Sequence, residues 1–132
     1  MNQHVSRTFP ATDMPAWLVL VLVALGIPRT VLADLDVVPP ESGLLYYCLA
    51  LIPFAVWLGV AIRRRSRRPL TDFLMVGGLY GVSLAIVHQL MWTDGLALRH
   101  IGIAMMIGLG TGLVVGLVAL VANLWRSKRS AQ

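Results

Sequence analysis

Residues Ile101–Trp125 read IGIAMMIGLGTGLVVGLVALVANLW, a run without one charged side chain. At 1.5 Å per residue, a helix of roughly 20 apolar residues crosses the ~30 Å hydrocarbon core of a bilayer. The run shows no strict alternation of the kind a barrel strand would need. Three further stretches have the same character, Pro15–Ala33, Gly43–Ile62 and Leu70–Trp92. The expectation is an all-α integral membrane protein, a four-transmembrane-helix bundle forming one membrane domain over residues 1–132.

Composition agrees with this. The chain is 58% hydrophobic and 13% charged, whereas an ordinary soluble domain is about 45–50% apolar and about 25% charged. A single soluble domain of this length could not bury so much apolar surface, but lipid can solvate helix exteriors directly. The net charge of +5 sits in short basic blocks between apolar runs. That is the pattern of a topology signal and not of a nucleic-acid binder. Cys48 is the single cysteine, which excludes an internal disulfide and a cysteine-rich metal site.

The breaks between spans are local in origin. Val38-Pro39-Pro40-Glu41-Ser42-Gly43 cannot continue a helix, and Ser42 is expected to cap the second span with Gly43 opening it. A basic loop over residues 63–69 carries Arg63, Arg64, Arg65, Arg67 and Arg68, and Thr93-Asp94-Gly95 closes the third span. With the N-terminus inside, nine of the 11 basic residues fall on the inner side, leaving only Arg29 and Arg99 outside. The positive-inside rule then puts both termini in the cytoplasm, consistent with a bacterial cytoplasmic (inner) membrane. Trp92 and Trp125 stand at span ends, where amphipathic rings favour the headgroup level.

The first span is the weakest, since its apolar core stops at Ile27 before Pro28 and Arg29. Arg29 is expected to reach the outer headgroups or to pair with Asp34 or Asp36. A rival reading takes Arg7, the core Trp17–Ile27 and Val31-Leu32-Ala33 as a signal peptide cleaved after Ala33, which would leave three spans. The long leading segment containing Asp13 speaks against it.

Gly108, Gly112 and Gly116 recur every four residues, drifting only about 40° per step around a helix. Ala119 and Asn123 continue that side, and Gly77 and Gly81 form a similar row in the third span. Such glycine-zipper rows let helix backbones approach closely, within one chain or between chains. His88 lies on the same side as Gly77 and Gly81, and Gln89, Asp94 and His100 are near it in sequence. Asp34, Asp36 and Glu41 are expected at the same outer face. These residues form a candidate polar site, because an ionisable group facing a packed helix interface is a functional candidate by default. The competing structural reading has His88 bonded to a neighbouring helix. Pro53 should kink the second span, with Tyr46, Leu49, Pro53 and Trp57 on one side. The arginines of the 63–69 loop anchor topology and can contact anionic lipid headgroups, and Asp72 is placed to pair with one of them.

Catalytic patterns are missing from the sequence. No acid lies deep in a span, no local Ser–His pair forms, and no phosphate loop or metal-ligand spacing is present. Neither a catalytic residue, a cofactor nor a metal ligand is assigned. The leading expectation is therefore a non-enzymatic accessory or scaffold subunit, or a homo-oligomer, packed through glycine-lined helices. Its partners would be membrane lipids and other membrane proteins, not nucleic acid. The alternative is a small-solute or ion transporter or channel with His88 near the outer mouth, Pro53 at mid-depth and Asn123 near the inner mouth. A membrane enzyme using His88 or His100 with Asp94 is a third possibility.

Overall fold

The computed structural model describes residues 12–91 and 98–132. Five α-helices follow in order: α1 (Ala16–Ala24), α2 (Ile27–Asp34), α3 (Leu44–Arg63), α4 (Pro69–Met91) and α5 (Leu98–Ser130), with a 3-10 turn at Pro40–Ser42. No strand occurs among the described residues. Helices α1 and α2 together make one apolar segment, so four segments are long and apolar enough to cross a membrane. Arg7, Trp92 and the 93–95 turn with Asp94 lie outside the described residues.

The expected first span comes as two helices meeting at Leu25 and Gly26. Pro28 has no N–H to donate back to Ala24, and the Gly26 N–H bonds the Val23 carbonyl at 3.3 Å instead of continuing the α-helical ladder. Gly26 keeps a right-handed conformation, φ −83°, so the segment is kinked and not reversed. The carbonyl of Leu22 is thereby left without its helical donor, and the indole N–H of Trp57 takes its place at 2.9 Å. The Tyr80 ring fills the space that a Cβ on Gly26 would occupy. It meets Trp57 edge-to-face with centroids 5.4 Å apart.

The entry to α3 also differs from expectation. Ser42 sits in the 3-10 turn and does not cap α3. Gly43 occupies the cap position with φ 62° and no side-chain cap bond, a conformation that favours glycine. Helix α3 runs one residue further than expected and takes in Arg63. Helix α5 extends well past the expected 101–125, and its 33 residues span about 50 Å. Its last turns, with Lys128 and Arg129, therefore exceed what a bilayer core requires.

The tightest contact joins α4 to α5. A Cβ on Gly77 would strike the Gly108 carbonyl, and one on Gly112 would strike the Phe73 carbonyl. At Gly108 it would come within 2.6 Å of the Gly81 nitrogen, at Gly81 within 2.9 Å of the Ala104 carbonyl, and at Gly116 within 3.1 Å of the Leu70 Cα. Backbone meets backbone along this seam, which is how helices associate where lipid removes the hydrophobic driving force between them. The core beside it is built from Trp57, Phe73, Val76 and Val115, all essentially inaccessible. Helix α3 buries only 17% of its most apolar window against 39% for α4, so α4 is central and α3 peripheral.

The end of the bundle that carries the 63–69 loop is tied by polar bonds. Asp72, fully buried in the first turn of α4, accepts the Asp13 N–H at 2.9 Å and the Ser66 hydroxyl. Among the described residues it does not pair with an arginine as expected; its side-chain oxygens take these two donors instead. Arg64 donates to the Asp13 carbonyl at 2.8 Å, and the Arg67 N–H donates to the Asp13 carboxylate at 3.0 Å. Asn123 of α5 donates to the Ser66 carbonyl at 3.0 Å.

The seam predicts a sharp contrast between glycines of one helix. Gly112→Leu has no room and should destabilise the bundle by about 1–3 kcal/mol or more. Gly110 has nothing within 4 Å of its Cβ position, so Gly110→Leu should stay within about 0.5 kcal/mol of the parent. Denaturation of both variants in one lipid or detergent system tests this, and equal losses would contradict the seam.

Candidate functional site

At the end of the bundle opposite the 63–69 loop, α2, α4 and α5 close around a cleft of about 210 Å³, with Tyr46 of α3 on its wall. Helix α2 supplies Arg29, Thr30 and Asp34, α4 supplies Leu84 and His88, and α5 supplies His100, Ala104 and Ile107. The kink before α2 brings Arg29 alongside the first turn of α3. There its guanidinium donates to the Tyr46 hydroxyl at 3.2 Å and lies 5.5 Å from the ring centroid. This contact replaces the expected pairing of Arg29 with Asp34 or Asp36.

Asp34 turns instead toward α4. Its Oδ2 is 3.8 Å from His88 Nδ1, an ion-pair separation when the imidazole is protonated but longer than a hydrogen bond. The Asp34 side chain is 14% exposed and that of His88 31%. The rings of His88 and His100 meet edge-to-face at 4.8 Å. Asp34 Oδ2 and Thr30 Oγ1 are buried atoms with no hydrogen bond among the described residues. A buried polar atom without a partner costs about 1–3 kcal/mol, which an incoming donor or acceptor would recover.

A second cavity of about 260 Å³ adjoins the first, sharing Arg29 and Ile107 and running past Pro53 to Trp57, Tyr80 and Thr111. Its wall is apolar apart from Arg29, Tyr80 and Thr111, and the Thr111 hydroxyl is spent on its own helix, donating to the Ile107 carbonyl at 2.7 Å. Trp57 and Tyr80, in edge-to-face contact, lie at its far end.

Of the residues singled out in the sequence, His88 and His100 come together in the cleft. Gln89 is half-buried on α4 and does not line it. Asp94 is outside the described residues. Pro53 lines the second cavity, whereas Asn123 lines neither and is bonded to the 63–69 loop. Asp36 and Glu41 are exposed and off the cleft. Among the described residues no three of His, Cys, Asp and Glu are grouped to hold a metal ion. Thr30 and Tyr46 were not expected in the polar site. The signal that points to this corner is Pro28-Arg29, a helix breaker and a charge inside an apolar segment.

The Trp57 bond to Leu22 gives a direct test of how the cavity is closed. Trp57→Phe keeps an aromatic ring but removes the donor, leaving a buried carbonyl unsatisfied. Stability should fall by about 1–3 kcal/mol, measured by denaturation in the same lipid, and an unchanged midpoint would contradict this role. No protein-family model, curated protein or solved structure matches the chain, so the functional reading rests on this geometry.

Proposed function

We propose that this chain is a four-span bundle of a bacterial inner membrane, with both termini cytoplasmic, and that it takes up a small polar solute or ion from the outer side without enzymatic chemistry. The observation that carries this reading is the outer cleft. At this end of a largely apolar bundle, Arg29, Asp34 and His88 surround a cavity in which two buried oxygens lack hydrogen bonds among the described residues. Polar groups in such a place are costly unless a ligand engages them. A guanidinium on one wall and a carboxylate on another suit a small zwitterion, and about 210 Å³ admits only a small one. Passage inward would require Trp57 and Tyr80 to move away from the kink. Membrane carriers place binding sites at interrupted helices for a related reason, since only there does backbone have bonds to exchange.

The glycine rows of α4 and α5 face each other within the chain. An accessory-subunit or homo-oligomer role would then use surfaces other than this seam. A second reading, assembly with a partner or another copy, is favoured by a different face of α5. Gly102 and Gly110 there meet nothing within 4 Å, and Met106 between them is 75% exposed.

Two measurements check the proposal. In a Cys48→Ser background, a membrane-impermeant maleimide applied to intact cells should label Glu41→Cys and spare Lys128→Cys, and the reverse pattern would overturn the orientation. For the cleft, the protein in nanodiscs is melted against amino acids, small carboxylates and quaternary ammonium ions. An amino acid at 100 times its Kd should add about 2.7 kcal/mol, and Arg29→Ala and Asp34→Ala should each abolish the shift. No shift with any class, or one that survives both substitutions, would reject the cleft as the site.

A further inference from the structure

We propose that the inner end of the groove between α3 and α5 is a site for one anionic phospholipid, its phosphodiester held by arginines and an acyl chain lying in the groove. The proposal rests on membrane insertion as read above and is independent of the outer cleft.

The groove, about 450 Å³, is lined by Ile62 of α3 and by Val118, Val121 and Trp125 of α5, with Arg126 and Arg129 at its rim. Next to it lies a polar pocket of about 340 Å³ that includes Arg65, Arg67 and Arg126. Arg126 lines both, so the apolar and cationic surfaces are continuous. Trp125 is 66% exposed, and the Arg129 guanidinium rests 5.5 Å from its ring centroid. That cation–π contact holds a charge beside the groove at low entropic cost.

The other polar groups of the pocket are occupied internally. The Ser127 hydroxyl donates to the Leu124 carbonyl at 2.8 Å and the Ser130 hydroxyl to the Arg126 carbonyl at 3.0 Å. Ser66 donates to Asp72, and Asn123 donates to the Ser66 carbonyl. The remaining donors are guanidiniums, which suit an acceptor-only group such as phosphate. The carboxylates at this end, Asp13 and Asp72, are each bonded to the loop. Among the described residues neither forms an ion pair with Arg65, Arg67, Arg126 or Arg129. A soluble acidic peptide would use the arginines but not an apolar groove that runs up a membrane-spanning helix. A phospholipid uses both.

Native mass spectrometry of the full chain tests this with three separate probes: phosphatidylglycerol, phosphatidylethanolamine and inorganic phosphate. One phosphatidylglycerol per chain should be retained in preference to phosphatidylethanolamine. Arg126→Ala with Arg129→Ala should weaken it about 30-fold, taking each basic group near the surface at its usual strength. Arg63→Ala with Arg68→Ala removes equal charge away from the groove and should cost only a few-fold. Val121→Trp, which fills the groove, should weaken the lipid and leave inorganic phosphate unaffected. Equal retention of the two lipids would overturn the site. So would equal losses from the two arginine pairs, which would mean diffuse charge attraction. Indifference of phosphatidylglycerol to Val121→Trp would identify a phosphate pocket without a lipid site.

Discussion

The close approach of α4 and α5 is the constraint on which the rest of the structure depends. In lipid, apolar side chains gain little by turning toward one another, so association relies on dispersion and weak bonds between backbones. Gly77, Gly81, Gly108 and Gly112 make that approach possible by removing the side chains that would intervene. The register of the seam has a consequence at its cleft end. Gly81 faces Ala104. Two turns further along α4 lies His88, and one turn back along α5 lies His100. The glycine contacts therefore set the meeting of the two imidazoles, and the cleft inherits its geometry from packing many ångströms away.

The kink between α1 and α2 is the second determinant. A bilayer offers no water to a carbonyl that has lost its helical donor, so an interrupted helix survives only where protein supplies the bond. Trp57 does this for Leu22, and Tyr80 packs into the space left by Gly26. The interruption turns Arg29 toward Tyr46 and leaves Asp34 facing His88. Arg29 and Asp34 thus enter the apolar bundle beside this break in its backbone. At the opposite end, Asp72, Asp13 and Ser66 clamp the loop before α4, so the bundle is fastened at the loop end and open to polar groups at the cleft end.

Much of this was legible in the sequence, and what was not has a physical cause. Span positions follow from apolar run length, and the small-residue rows follow from four-residue spacing, because both are properties of a single helix. Whether the rows face each other or a partner is a tertiary question that periodicity cannot answer. The Pro28-Arg29 pair marked the weak span but not the kink at Leu25 and Gly26, since the bond that stabilises it comes from Trp57, 35 residues away in sequence. Asp72 looked like a partner for the neighbouring arginines. Its actual donors include the Asp13 N–H, separated from it by 59 positions, and no local reading reaches that far. Ser42 was misread as a cap because a residue type preferred at caps stood next to a glycine whose positive φ does the turning.

The central claim, that the glycine seam is internal to one chain and sets the cleft, is tested most directly by cross-linking. A Cβ on Gly78 would lie 3.6 Å from the Leu109 side chain, an ordinary contact that tolerates substitution. With Cys48→Ser removing the native thiol, cysteines at positions 78 and 109 should oxidise to a disulfide within a single chain in native membranes, and the product should migrate as a monomer. Cross-linked dimers without the intrachain product would contradict the claim and place the glycine rows between copies.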